Sequence, residues 1–209
     1  LKRAKSLALS SNAIFFKDWK KLIKLPQVDI VIIATTHDLL AQITLAAINE
    51  GKHVLVEKPA ALFAIDLEAS IISSKKNNVK VHVGFNHRYH RSLLKAKDII
   101  KSGELGELMF LRARYGHGGR VGYNKEWRSN PYLSGGGELI DQGSHLIDLA
   151  RFFLGEFKDI SGSAHTYYWD MPVDDNCFML LKTEKQKTAF LHVSCSEWKN
   201  LFSMEIYGK

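Results

Sequence analysis

Residues 28 to 36, VDIVIIATT, form an unbroken run of β-branched and small side chains, and the segments that follow return to this theme at helical intervals. Such a run reads as a strand buried on both faces of a parallel sheet. HDLLAQITLAAINEG then has helical periodicity and stops on Gly51, a natural C-terminal helix stop. HVLVEKP is a second buried strand ended by Pro59, DLEASIISSKKNN a second helix, and VKVHVGF a third strand. Strands alternating with helices require crossovers, which are right-handed, and so a doubly wound α/β sheet. Ahead of it, AIFF and DWKKLI are expected to add a short strand and helix to the same layer.

The pattern changes near residue 86. RSLLKAKDIIKSGELG is a helix ending near Gly103, ELMFLRARYG is a longer strand, and FKDISGSAHTYYW, NCFMLLKT, KTAFLHVSCSE and FSMEIYG are strand-like and separated by short turns. That succession predicts a second, α+β domain with a mostly antiparallel sheet, the division falling at 1–86 and 87–209. At 209 residues and 45% hydrophobic, the chain can build the cores this requires.

Between these strands lies GGGELIDQGSHLIDLARFFL, residues 135 to 154. Wound at roughly 100° per residue, it places Leu139, Leu146, Leu149, Ala150 and Phe153 on one side, and Asp141, Ser144, His145 and Asp148 on the other. Residues four apart are neighbours, so Asp141 and His145 can share one small volume. The helix alone leaves two readings open, a solvated face and a chemical one.

The formal net charge of +7 permits an anionic ligand, but the basic residues are scattered, with no basic stripe or zinc-finger spacing, and nucleic acid is not an expected partner. Cys177 and Cys195 lack metal-ligand spacing and read as reduced thiols; no metal site is expected. No apolar run is long enough to cross a bilayer, and the opening residues lack the apolar centre and cleavage site of a signal peptide. A cytoplasmic protein with no membrane partner is the expectation.

In open α/β sheets, ligands bind outside the carboxyl ends of the strands. Three groups fall there: Thr35-Thr36-His37, Glu57-Lys58-Pro59 and Asn86-His87-Arg88. They are expected to line one crevice. A solvated Lys58 and a capping His37 are the plain alternatives.

Taken together, VDIVIIATT, GKHVLVEKP, GFNHRYHRSLLKAKDIIKSGELGEL and GGGELIDQGSHLIDLARFFLG resemble the glucose-fructose oxidoreductase / inositol dehydrogenase family, Gfo/Idh/MocA, over nearly the whole chain. The resemblance implies a Rossmann domain that binds NAD or NADP, followed by a domain that carries a sugar or cyclitol site. It implies a catalytic group of Lys58, Asp141 and His145, with Thr35, Thr36, His37, Glu57 and Lys58 at the cofactor. The Gly-rich phosphate loop and the acidic end of the following strand are not found, so residues 1–86 read as a partial Rossmann-like domain, the second domain as cut short at Lys209, and these residues by themselves as inactive.

The implied reaction moves a hydride between a nicotinamide and a secondary alcohol of a sugar, with a nucleotide-linked or acidic sugar suggested by the basic loop 114–137. In it, His145 near its ordinary pKa would act as general base, and Lys58 would stabilise the developing alkoxide. Asp141 could orient His145, favour its cationic form, or bind a sugar hydroxyl. In loop 114–137, Trp127 can stack on a pyranose ring, with Arg128, His117 and Tyr123 as polar contacts. Arg88, at the junction, is a further substrate candidate. The competing reading is a non-catalytic sugar-binding or partner subunit that keeps the fold. Homo-oligomerisation of the complete protein is also expected, since exposed sheets in this family often pair.

Overall fold

The computed structural model describes residues 2–209. After helices α1 (Lys2–Ser10) and α2 (Trp19–Ile23) come β1 (Ile30–Ile33), α3 (His37–Asn49), β2 (His53–Val56), α4 (Glu68–Lys76) and β3 (Val81–Val83). The three strands form one parallel sheet in the order β1-β2-β3, Val31 paired with Val54 and Val54 with Val81. Gly51 ends α3 with a φ of 71° and donates its N–H to the Ile48 carbonyl, as a helix stop should.

Two expectations change here. Residues 13 to 16, AIFF, join no strand ladder, although DWKKLI does contain α2, whose amino end is capped by Asp18. The strands are also buried on one face only: Val31, Ile33, Val54 and Val56 are covered, whereas Ile30 and Ile32 are 62% and 71% exposed. Strand order explains this. Two right-handed crossovers stepping in the same direction put α3 and α4 on one side of the sheet, where Leu40, Ile43, Ala47 and Ile48 close the core.

The chain continues through α5 (Arg91–Ser102), β4 (Leu108–Gly116), the short α6 (Pro131–Ser134), α7 (Ser144–Leu154), β5 (Phe157–His165), β6 (Asn176–Thr183), β7 (Thr188–Ser194) and β8 (Leu201–Gly208). The last five strands form a second sheet in the order β5-β6-β7-β4-β8, antiparallel except where β4 runs parallel to β7. Leu146, Ala150 and Leu154 of α7 pack on Leu111, Ala113, Met179, Leu191 and Val193 of one sheet face. On the other face, Phe178, Leu180 and Phe190 remain partly exposed. No helix among the described residues is long and apolar enough to cross a membrane.

Candidate functional site

The helix predicted over 135–154 begins differently from its periodicity. Residues Leu139–Gly143 form one π-helical turn before α7 starts at Ser144. Its amino end is held by Asp174, whose carboxylate accepts from the N–H groups of Gly137 (2.9 Å) and Leu139 (2.8 Å). Gly137 is the residue that permits this. A Cβ there would lie 1.8 Å from the Asp174 carbonyl oxygen, so no side chain fits. The anchor and the wider turn fix where Asp141 points, and single π turns recur at functional sites.

The polar face of this helix is not solvated. His145 is 8% and Asp148 7% exposed, against the turn that follows β3. Lys58, at the carboxyl end of β2, is 12% exposed, donates to the Asp141 carbonyl (2.6 Å) and forms a close ion pair with the Asp141 carboxylate. The other carboxylate oxygen of Asp141 accepts from Arg128 Nε (2.9 Å). Asp141 is thus shared by two cations. Burial alone would raise its pKa, but the charges and hydrogen bonds of Lys58 and Arg128 outweigh that and hold it below the usual range. Lys58 has three N–H donors, and Asp141 occupies two, leaving one for a ligand oxygen.

His145 departs from the near-neutral behaviour expected of it. Burial, then the neighbouring charges of His87 and Lys58, push its pKa down to about 3, with Asp141 acting in the opposite sense. The ring is therefore an uncharged proton acceptor at neutral pH. No hydrogen bond joins it to Asp141 among the described residues; it is flanked by Phe85 edge-on, by Tyr115 at 6.3 Å and by His87 stacked at 4.1 Å.

In front of this group lies a cavity of about 520 Å³, walled by Tyr115, His117, Tyr123, Arg128, Asp141 and Phe202 among others. His117 accepts from the Gly119 N–H (2.9 Å), and burial lowers its pKa. Beneath the cavity, Tyr123 donates its hydroxyl to Glu138 (2.8 Å). Glu138 is 2% exposed, and burial lifts its carboxyl to about 7. Sequence reading missed Glu138, although a carboxylate beside a Gly triplet in an apolar run was the available signal. It also missed Asp174 and the wall residue Phe202, whose positions depend on pairings far along the chain.

The remaining predicted residues take several places. Arg128 stacks on Trp127 (4.7 Å), and Trp127 meets His37 edge-on (4.9 Å), so this aromatic side chain links loop 114–137 to the amino end of α3. His37 is buried, its Nδ1 2.8 Å from the Ser134 carbonyl. Thr35 and Glu57 are exposed at the carboxyl ends of β1 and β2, and Thr36 caps α3 by backbone alone. Arg88 lies apart from the cavity, in a two-pronged pair with Asp148 at 2.7 and 2.5 Å and over the ring of Phe152.

A dinucleotide fits part of this arrangement. The amino end of α3 has no side-chain cap, Thr35 and Glu57 are open at the strand ends beside it, and Lys58 is paired to Asp141, which itself lines the cavity. The turn after β1 reads Ala34-Thr35-Thr36-His37, without glycine, so it is not a pyrophosphate cradle.

Comparison with known proteins shows what the chain is similar to. The model of the family described as the oxidoreductase family with NAD-binding Rossmann fold matches residues 1–85, and that of the GFO/IDH/MocA C-terminal domain matches residues 93–209. A levoglucosan dehydrogenase of Pseudarthrobacter phenanthrenivorans is 32% identical over 158 residues, 75% of this chain and 40% of that protein. A myo-inositol 2-dehydrogenase of Thermotoga maritima is 30% identical over 144 residues, 68% of this chain and 40% of that protein. A solved levoglucosan dehydrogenase in complex with NADH and L-sorbose superposes with a TM-score of 0.93 at 26% identity, covering 100% of this chain and 60% of that one. The chain therefore spans about two fifths of the length of these relatives, and three fifths of the solved one.

Proposed function

The chain belongs to the Gfo/Idh/MocA oxidoreductases, and on that premise we propose that it carries the alcohol-binding and proton-handling part of an NAD-dependent dehydrogenase of neutral polyhydroxylated rings. One observation carries the choice of substrate. The cations at the cavity already have carboxylate partners, Arg128 with Asp141 and Arg120 with Glu126, so the site offers hydroxyl-binding groups and little uncompensated positive charge. Sugars and cyclitols present such hydroxyls, and levoglucosan and inositol in the relatives' names are of this kind.

In this reading, residues 1–86 form the cofactor side and 87–209 the substrate side. Thr35, Thr36, His37, Glu57 and Lys58 would hold the nicotinamide end of NAD, which when bound would supply the hydride acceptor. The free N–H of Lys58 donates to the reacting hydroxyl and stabilises negative charge as it develops on that oxygen. Asp141 keeps Lys58 aimed at that position. His145, uncharged, takes the proton, and the Asp141 carboxylate offsets the positive charge this creates. Trp127 and Arg128 border the ring, with His117 and Tyr123 on the far wall. A homo-oligomer formed through the exposed face of the second sheet belongs to the same reading, because an apolar patch that includes Phe178, Leu180 and Phe190 favours self-association.

A second reading, an acidic or nucleotide-linked sugar, is favoured by Arg120, which is 69% exposed at the cavity and could exchange Glu126 for a ligand anion. The experiment is a substrate panel on the full-length protein with NAD and with NADP, following absorbance of the reduced cofactor. Turnover of neutral polyols with NAD is expected. Turnover confined to uronates or nucleotide sugars would overturn the substrate assignment. Saturable sugar binding without turnover by either cofactor would establish the non-catalytic alternative.

A further inference from the structure

His87 follows β3 on a single turn of 3-10 helix, Asn86–Tyr89, and its ring lies on that of His145 with centroids 4.1 Å apart and planes 12° from parallel. Rings stacked in this way cannot hydrogen-bond to each other in plane. Both Nδ1 atoms are buried without a partner among the described residues. His87 is boxed in by Tyr115 (5.1 Å) and by Phe202 edge-on (5.6 Å), so the stack is held in place by packing.

Resting on His145 as the proton acceptor, we infer that His87 is its positioning residue: the two stacked rings hold at most one proton between them, and His87 takes it first. The charged groups around the pair support this. Lys58 faces it from the end of β2, Asp141 from the π turn, Asp148 from α7, Tyr115 from β4, and Arg88 and His90 from the segment that carries His87. Both carboxylates are already engaged, Asp141 by Lys58 and Arg128, Asp148 by Arg88. Neither is free to neutralise a second imidazolium. The first proton goes to His87, because it is only half-buried and lines a second cavity of about 620 Å³, whereas His145 is 8% exposed.

The consequence is functional. With His87 uncharged, His145 can accept the substrate proton beside a neutral ring. Once His87 is protonated, a cation on His145 would face another across the stack, and proton transfer stops. The acid limb of the pH profile therefore belongs to His87, not to His145.

The test uses histidine-labelled full-length protein and resolves both rings by NMR during a pH titration. His87→Phe keeps an aromatic ring on the stack and removes its titration, so His145 is expected to titrate higher than in the wild type by about one unit or more. His145→Phe supplies the other arm should the first variant fold poorly: His87 is expected to titrate where it does in the wild type, because His145 is still uncharged when His87 takes its proton, and a rise in its titration pH would overturn that order. In activity assays, His87→Phe shifts the acid limb of kcat/KM to lower pH. Titration of His145 at the same pH with and without His87 would overturn the proposal. If the rings couple while His145→Ala turns over normally, the pairing stands and the catalytic reading fails; if His145→Ala is dead and the rings are independent, the pairing fails and the catalytic reading stands.

Discussion

Replacing Asp141 by Asn tests whether the carboxylate that pairs with Lys58 and Arg128 acts as a charge. Lys58 is 12% and Asp141 18% exposed, and removing one partner of a buried ion pair costs about 3–5 kcal/mol, since the other is left uncompensated. Arg128, at 37% exposed, retains solvent screening, which reduces the loss for Asp141→Asn to about 2–4 kcal/mol. For a chain of this size each kcal/mol lowers Tm by about 2–4 °C, giving a drop of about 4–16 °C. The pH dependence follows from the direction of the shift. Asp141 is held below its ordinary value, so its contribution is complete above the unfolded carboxyl pKa of about 3.9 and is lost as the pH falls through the folded value beneath it. Calorimetry of wild type and variant should show a gap in Tm that is constant from about pH 5 to 8 and closes in acid. A gap under about 2 °C at pH 7, or one that persists unchanged to pH 3, would refute the reasoning.

Gly137→Ala should destabilise the chain by about 3 kcal/mol or more, because its new methyl meets the Asp174 backbone, whereas Gly136→Ala meets a side chain, Ile140 at its Cγ1 (2.9 Å), which can shift, and should cost about 1 kcal/mol; equal melting temperatures for the two would contradict this. Asp175, at 0% exposure, accepts from the backbone N–H groups of Tyr167, Tyr168 and Trp169 at 2.7–2.9 Å, so Asp175→Ala should cost about 3 kcal/mol or more in urea denaturation, and a loss below about 1 kcal/mol would show that those N–H groups find other partners.

The elements were largely legible in the sequence because their signals are local. The β-branched runs, the glycine stops at Gly51 and Gly103, and the switch from helix-separated to turn-separated strands each arise within a dozen residues. What failed depends on neighbours distant in the chain. Ile30 and Ile32 look like core residues until strand order assigns the helices to one face. AIFF has strand composition but finds no ladder partner. The grouping of Lys58 with Asp141 came from the family resemblance and Arg128 entered only as a loop candidate, while the π turn that aims Asp141 depends on Asp174, more than thirty residues later. The environment of His145 was illegible for the same reason: the burial, and the ring of His87, that move it far from neutrality are tertiary.

The central claim is that the buried polar face around Asp141 and His145 performs proton transfer with Lys58. Its most direct test compares the full-length wild type and His145→Ala, measuring turnover of a neutral polyol with NAD together with calorimetric NAD affinity. The account predicts that turnover falls by roughly two to four orders of magnitude while NAD affinity is kept. Turnover close to that of the wild type, with NAD affinity also unchanged, would contradict it.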